Sequence, residues 1–364
     1  MVDKPSLSVS QVLSWLRCRY EWYLNYEERL VRKDLKWAPA LGSAVHAGIA
    51  AALLRKHELD KLGLPFDEYE ILVTAVHDGV DGWAERTLTF IDQDVVDEEL
   101  VQVTRDAVDQ IVPQAAEIIR RTLQHIKVWE WRTLEDRRGQ PMIEYHFEVP
   151  LRRWRCFQGY VDWVGVHEPT GHKWLIDWKV RSQFQPDDNE EISLQHAVYQ
   201  YGLLRATRHF LDGTMTVQIA DRVPQQPKLN KDGSMSRALI RTDWETYKAA
   251  LLTAGLDPND YLDMQEKLST VEWVRISQHY RTVDEAQAVW KEVILPVAAE
   301  IRSKRKRIYR TLSPRVCRSC GYKDLCLAEL WGEDADYIRD AMYRKREHRE
   351  KDELVSTGEE NANA

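Results

Sequence analysis

The stretch WLIDWKV, residues 174–180, decides how the chain folds. Trp174, Leu175, Ile176, Trp178 and Val180 read as a buried strand, yet Asp177 and Lys179 stand inside it. Burying an unpaired carboxylate or ammonium costs several kcal/mol, so a strand with only a structural role avoids both. The period-two alternation of a strand puts Asp177 and Lys179 on one face. A second carboxylate, Asp162 in FQGYVDWVGV (157–166), lies fifteen residues earlier on a preceding strand. EPTG (168–171) supplies a tight turn before HKWLIDWKV (172–180), so a hairpin brings Asp162 and Asp177 side by side. Like charges held that close push one carboxyl towards protonation unless a cation sits between them. Paired oxygens facing a hard divalent ion make a Mg²⁺ or Mn²⁺ site, with Lys179 balancing the carboxylates. On this reading, removal of Asp177 relieves repulsion in the metal-free protein. The plainer alternative is a buried Asp–Lys ion pair at a strand end.

The flanking pattern is mixed. Upstream, IEYHFEVPL (143–151) reads as another strand, and residues 66–128 read as two long amphipathic helices. A helix capped at Ser8 or Ser10 runs through QVLSWLRCRYEWYLNYEERL, and a second begins near Ala40. Beyond Lys179 follow a helix at 193–207, a strand near 214–223, a polar loop at 224–240, helices near 242–254 and 284–309, and a strand at 270–281. This order gives an α+β (mixed α/β) fold, a small mixed sheet flanked by helices. One domain is expected over 1–355: an N-terminal helix (1–35), a helical region (36–130), a core (140–310) and a cysteine segment (311–332). The tail, 356–364, is expected to be disordered.

Composition narrows the class. With 364 residues, 43% hydrophobic, the chain can bury an ordinary core. No apolar run approaches the roughly 20 residues that span a bilayer, the N-terminus lacks a secretory pattern, and KDEL (351–354) is internal. The expectation is a cytoplasmic protein, in a bacterial or phage-infected cell, with no membrane partner. A net charge of −8 excludes non-specific coating of nucleic acid. Charge is unevenly spread, however: RSKRKRIYR (302–310) has six basic residues in nine, whereas IDQDVVDEEL (91–100) has five acidic and none basic. The basic run, with Lys304, Arg305, Lys306 and Arg307, is either a patch that meets phosphates or a solvated helix face.

Other residues join the charged strands. Gln195 and Tyr199 are spaced i, i+4 and share a helix face. His46 follows Gly42 by four residues; a lone histidine there is more often a core residue than a ligand, but the glycine permits close approach of another element. In order, G-x-x-x-H (42–46), G-x-x-D (159–162), D-x-K (177–179) and Q-x-x-x-Y (195–199) resemble the RecB-type branch of the PD-(D/E)XK nuclease superfamily. The resemblance implies a restriction-endonuclease-like core in which His46, Asp162, Asp177 and the backbone carbonyl of Val180 ligate Mg²⁺ or Mn²⁺. Lys179 would activate water or steady the phosphate, and Gln195 and Tyr199 would position Lys179 and the DNA backbone. Glu144 is a candidate extra acid, with a solvent-facing glutamate the favoured reading.

CRSCGYKDLC places Cys317, Cys320 and Cys326 as C-x₂-C-x₅-C, a spacing that suggests a metal rather than disulfides. No fourth ligand follows nearby, and Cys18 is the favoured donor. The same one-plus-three arrangement occurs in iron–sulfur members of the RecB-like group, including CRISPR-associated RecB-like exonucleases, where it holds a [4Fe–4S] cluster. Zinc in a Cys₄ site is the rival. Cys156 is read as an ordinary buried thiol.

The resemblance implies a metal-dependent DNA exonuclease acting at DNA ends in recombination, repair or end processing, as carried by bacteriophages or CRISPR loci. The alternatives are a structure-specific endonuclease, a catalytically silent DNA-binding or adaptor module, and a zinc-stabilised interaction protein. No G-x-x-x-x-G-K-[ST] is present, so the chain has no P-loop motor. Lys228, Lys231 and Arg237, in PKLNKDGSMSR (227–237), would close over a DNA strand or form plain surface. Expected partners are single- or double-stranded DNA ends, a homo-oligomer suggested by ring-forming relatives, and recombination or CRISPR proteins.

Overall fold

β5 (Phe157–His167) organises the sheet. The computed structural model describes residues 5–94, 98–187, 191–303 and 305–346, so the 356–364 tail lies outside the described residues. The main sheet also contains β1 (Leu7–Ser8), β3 (Trp131–Thr133), β4 (Ile143–Val149), β6 (Lys173–Arg181), β7 (Gly213–Ala220) and β8 (Val274–Tyr280). β2 (Leu30–Arg32) and β9 (Tyr343–Lys345) form a separate antiparallel pair that ties the two ends of the described chain together. The expected strands are all present, and the architecture is mixed α+β with helices flanking a small mixed sheet.

On one side β5 pairs with β4 and β3. On the other it pairs with β1 at Phe157–Gln158 and with β6 from Trp163 to Val166. The edge between those two pairings is open, because β6 leaves β5 after Ile176 and continues beside β7 alone. Asp162 and Asp177, next in register, therefore stand in the mouth of a fork. Alternation also breaks there: Val161 and Val164 belong to one core while Trp163 belongs to the other.

The two faces of the sheet bury separate cores. Trp163, Trp174, Ile176, Trp178 and Val217 pack against the helices Trp37–Leu62 and Glu98–His125. Phe147, Val161, Val164 and Leu175 pack against Leu194–Thr207, Val9–Arg17 and the Trp290–Ile301 segment. The helix Trp37–Leu62 is long and apolar enough to cross a bilayer by length and composition, contrary to the expectation from the sequence. Its Leu41, Val45, Ile49 and Leu53 are buried in this core.

Three expectations change. The N-terminal helix, capped by Ser8, is interrupted at Cys18, whose backbone is extended. The helix leading to the basic run ends at Ile301, so residues 305–310 form a strap rather than a helix face. The 224–240 loop carries a turned hairpin, with Leu229 bridged to Met235 and Gly233 at φ 84°. Met235 closes a small satellite core with Tyr247, Tyr261 and Met264.

Candidate active site

Period two explains the charged strand. Trp174, Ile176 and Trp178 point into one core, with Trp178 stacked on Trp163 at 6.0 Å, while Asp177 and Lys179 point to the opposite side. The Asp177 side chain is only 3% exposed. Lys179 Nζ lies 2.9 Å from its Oδ1 and 2.7 Å from its Oδ2. The helix Leu194–Thr207, capped by Ser193, adds Gln195 Nε2 at 3.4 Å from Oδ1 and His196 Nε2 at 3.6 Å from Oδ2. His196 is a site residue the sequence reading missed.

Asp162 occupies the fork. Its Oδ2 accepts the Trp178 backbone N–H at 2.8 Å, replacing the ladder bond that β5 no longer offers. His46, from the other layer, donates Nε2–H to the Trp178 carbonyl at 3.0 Å. A carbonyl can only accept, so in the neutral imidazole this bond fixes the tautomer and turns the Nδ1 lone pair towards the carboxylates. Nδ1 stands 3.7 Å from Asp162 Oδ2 and 3.9 Å from Glu144 Oε1. Glu144 is thus not solvent-facing: its side chain is 14% exposed and its backbone is left-handed, φ 45°. One ligand atom each from His46, Glu144 and Asp162 lie within 4.8 Å of one another. Carboxylate oxygens are the donors Mg²⁺ and Mn²⁺ take, so Glu144 and Asp162 fit such an ion, and the imidazole nitrogen of His46 tilts the set towards the softer Mn²⁺.

The electrostatics divide the two aspartates. Burial raises the Asp162 carboxyl above its ordinary range, with Asp177 adding to the shift and His46 opposing it. Burial would raise Asp177 too, but Lys179 and His196 hold it well below the usual carboxylate range. Lys179 is likewise raised, because Asp177 and Asp162 outweigh burial, so it is an ammonium at neutral pH. Burial pushes the Tyr199 phenol upward, reinforced by Asp177 and Asp162, so it stays protonated.

The motif glycines act differently from each other. A Cβ at Gly159 would meet Phe147 at 2.7 Å and Tyr199 at 3.0 Å, so glycine lets Tyr199 lie against β5. At Gly42 no neighbouring atom lies within 4 Å of such a Cβ. The expected close approach is absent there; Gly42 opens space one turn before His46.

Cys18, Cys317, Cys320 and Cys326 line one pocket, of about 400 Å³ including its mouth, with Arg310 and Lys323. Thr311 joins two of them: its N–H donates to Cys18 Sγ and its carbonyl accepts from Cys317 Sγ, both at 3.4 Å. Burial pushes the Cys320 and Cys326 thiols up. Among the described residues, no three of these sulfurs lie within 4.8 Å of one another. Cys156 lies elsewhere, buried, with its thiol 3.4 Å from Ser6 Oγ.

The basic candidates are dispersed. Lys228, Lys231, Arg305 and Arg307 are exposed, and Lys304 lies outside the described residues. Arg237 is paired with Asp263 at 2.7 Å and covers Tyr261; Lys306 pairs with Glu27 and covers Trp22.

Among known proteins, the family model for the PD-(D/E)XK nuclease superfamily matches residues 6–327. No curated protein matches the chain. Among solved structures, the crystal structure of SSO0001 aligns over 68% of this chain and 95% of that one, at 10% identity and a TM-score of 0.28. Members of the matched family use divalent metals such as Mg²⁺ or Mn²⁺. The family match spans both strands of the fork, the helix that follows them and all four pocket cysteines, and the chain belongs to the PD-(D/E)XK nuclease superfamily.

Proposed function

We propose that this nuclease is a metal-dependent DNA exonuclease of the RecB-like branch, hydrolysing phosphodiester bonds at DNA ends in recombination, repair or end processing. The observation that carries the reading is the fork, where Asp162, Asp177 and Lys179 converge with His46 from one helical layer and Gln195 and Tyr199 from the other. His46, Asp162, Asp177 and the Val180 carbonyl would hold the divalent ion. The ion would supply Lewis-acid polarisation of the phosphate and a more acidic bound water. Lys179, held as an ammonium, cannot take a proton from water; it steadies phosphate charge. Gln195 orients Asp177, and the protonated Tyr199 is a hydrogen-bond donor beside them.

We further infer that Cys18, Cys317, Cys320 and Cys326 hold a [4Fe–4S] cluster. They share one pocket, and Arg310 and Lys323 beside them offset thiolate charge. Tetrahedral zinc, with Zn–S bonds of about 2.3 Å, needs sulfurs about 3.8 Å apart. The one-plus-three order of these cysteines along the chain, shared with the iron–sulfur members of the RecB-like group, is what favours the multi-iron cluster over zinc.

The test is incubation of end-labelled linear DNA and covalently closed circular DNA with Mn²⁺ or Mg²⁺. Degradation of linear DNA alone is the expected result. Cleavage of closed circles makes the protein an endonuclease, and binding without cleavage makes it a silent adaptor. Recombination or CRISPR proteins, or further copies of the chain, are the partners such an enzyme would meet.

A further inference from the structure

The D-x-K carboxylate is already engaged: both Asp177 oxygens lie within 3 Å of Lys179 Nζ, and Gln195 and His196 stand around the same group. The donors that face one another lie one strand away. Glu144 and Asp162 belong to β4 and β5, which pair on either side of these two residues, at Ile143↔Trp163 and Tyr145↔Val161. Glu144 therefore stands level with Asp162, which in turn stands level with Asp177 across the fork. Three carboxylates occupy one row over three adjacent strands.

His46 makes that row more than a cluster of acids. Its Nε2–H is committed to the Trp178 carbonyl at 3.0 Å, which aims the Nδ1 lone pair at Asp162 and Glu144. A hydrogen bond on the far nitrogen is the usual way a protein fixes a metal-binding imidazole. Ligands of a small octahedral ion with bonds of about 2.1 Å stand roughly 3–4 Å apart. The three atoms lie within 4.8 Å, so small side-chain rotations would close the set.

We propose that Glu144 is a ligand of the divalent ion, completing with His46 and Asp162 a three-donor site on the β4 side of the fork. This rests on the nuclease reading and adds one residue to it: Glu144 joins His46, Asp162 and Asp177, so a third carboxylate shares in retaining the ion while Asp177 also holds Lys179.

Mn²⁺ binding to the full chain, followed by the loss of the free-ion EPR signal, tests the proposal without reference to cleavage. Glu144→Gln keeps the size and one acceptor oxygen but removes the charge, and it should weaken Mn²⁺ at least tenfold with unchanged circular dichroism. Glu148→Gln, on the exposed part of the same strand, should bind as wild type does. Glu144→Gly separates ligation from backbone: φ 45° suits glycine, so this variant should melt no lower than wild type while still losing Mn²⁺ affinity. Wild-type Mn²⁺ affinity in both Glu144 variants overturns the proposal. If Asp162→Asn also binds Mn²⁺ like wild type, the metal reading of the whole fork fails. If Asp162→Asn loses the ion and Glu144→Gln does not, only the assignment of Glu144 fails.

Discussion

The backbone of Trp178 bonds to Asp162 and His46 at once, donating its N–H to Asp162 Oδ2 at 2.8 Å and accepting His46 Nε2–H on its carbonyl at 3.0 Å. Where β5 and β6 separate, each would lose a ladder bond, and an unpaired buried amide costs about 1–3 kcal/mol. Asp162 and His46 fill that place, so the candidate site and the sheet share their hydrogen bonds. A side chain at 162 must therefore accept a hydrogen bond even when it carries no charge.

Asp162→Asn follows directly. An asparagine oxygen still accepts the Trp178 N–H, while the buried charge facing Asp177 is gone. A raised folded-state pKa means that wild type is relatively stable below the ordinary Asp range and loses stability as pH rises through the Asp162 value. At neutral pH without metal, Asp162→Asn should melt higher than wild type, because the buried charge is gone, and should not cleave DNA. Melting curves in EDTA at pH 4.5 and 7.5 check this: the advantage should shrink at the lower pH.

Asp177→Ala should behave in the opposite way, reversing the relief of repulsion that the sequence suggests. Its carboxyl is held below the usual range, so it contributes stability above the ordinary Asp range that is lost as pH falls through its folded value. Alanine would leave the Lys179 ammonium facing His196 and a buried gap. The expected cost is about 2–4 kcal/mol, with cleavage abolished. Adding Lys179→Met should recover much of the stability and none of the activity, as denaturant titration of the single and double variants would show.

Gln218, level with Lys179 on β7, clamps the chain that leaves the D-x-K strand. Its Oε1 accepts from Gln185 N at 2.6 Å, and its Nε2 donates to Gln185 O at 3.0 Å and Ser277 Oγ at 3.3 Å. Gln218→Met removes all three bonds beneath the segment following Val180 and Arg181. Turnover should fall about tenfold or more, with Mn²⁺ affinity near wild type and faster amide exchange at Gln185. Unchanged exchange there would show that the clamp does not order the segment.

The sequence made Asp162, Asp177 and Lys179 readable because a charge inside an alternating apolar strand has few explanations. Glu144 was not readable in the same way. Its left-handed backbone breaks the period of β4, so alternation gives no guide to where its side chain goes. His196 was hidden beside the more obvious Gln195, since a buried histidine on a helix looks like core. The basic run misled for another reason. Its clustered like charges make a poor helix, and aromatic faces pull the strap across the N-terminal helices instead: Arg310 lies 3.8 Å from the Tyr20 ring and Lys306 4.9 Å from that of Trp22. Contacts between residues nearly three hundred positions apart leave no local signal.

The cysteine pocket gives a prediction with an internal control. Anaerobically purified protein should be brown and bleach on oxidation. Cys18→Ala should lose the colour and several degrees of melting temperature together, because the pocket joins the N-terminal helices to the strap and the C-terminal segment. Cys156→Ala should keep the colour. A colourless wild type with one zinc per chain would replace the cluster by a Cys₄ zinc site and leave the fork untouched.

DNA binding by a protein of net charge −8 must come from local cations. The structure separates the candidates by what already engages them. Arg237 is fixed by Asp263 and by the Asp260 carbonyl, both at 2.7 Å, and lies over Tyr261. Lys306 is fixed by Glu27. Each has a structural role, so neutralising either should lower stability and leave the salt dependence of binding nearly unchanged. Lys228 and Lys231 on the hairpin, and Arg305 and Arg307 on the strap, are exposed. Removing one cation that pairs with a DNA phosphate should reduce the log–log slope of affinity against salt by roughly 0.7–0.9, or about 1.5–2 for two such cations. Neutralising Arg305 with Arg307 should weaken all sequences alike, with cleavage recovering at high DNA concentration. Neutralising Lys228 with Lys231 should also lower single-turnover cleavage, if the hairpin closes over the strand beside Lys179. Fluorescence anisotropy over a salt series, run alongside single-turnover rates, distinguishes the two pairs. A slope unmoved by either pair would mean that these cations are solvated surface and that the phosphates are met elsewhere.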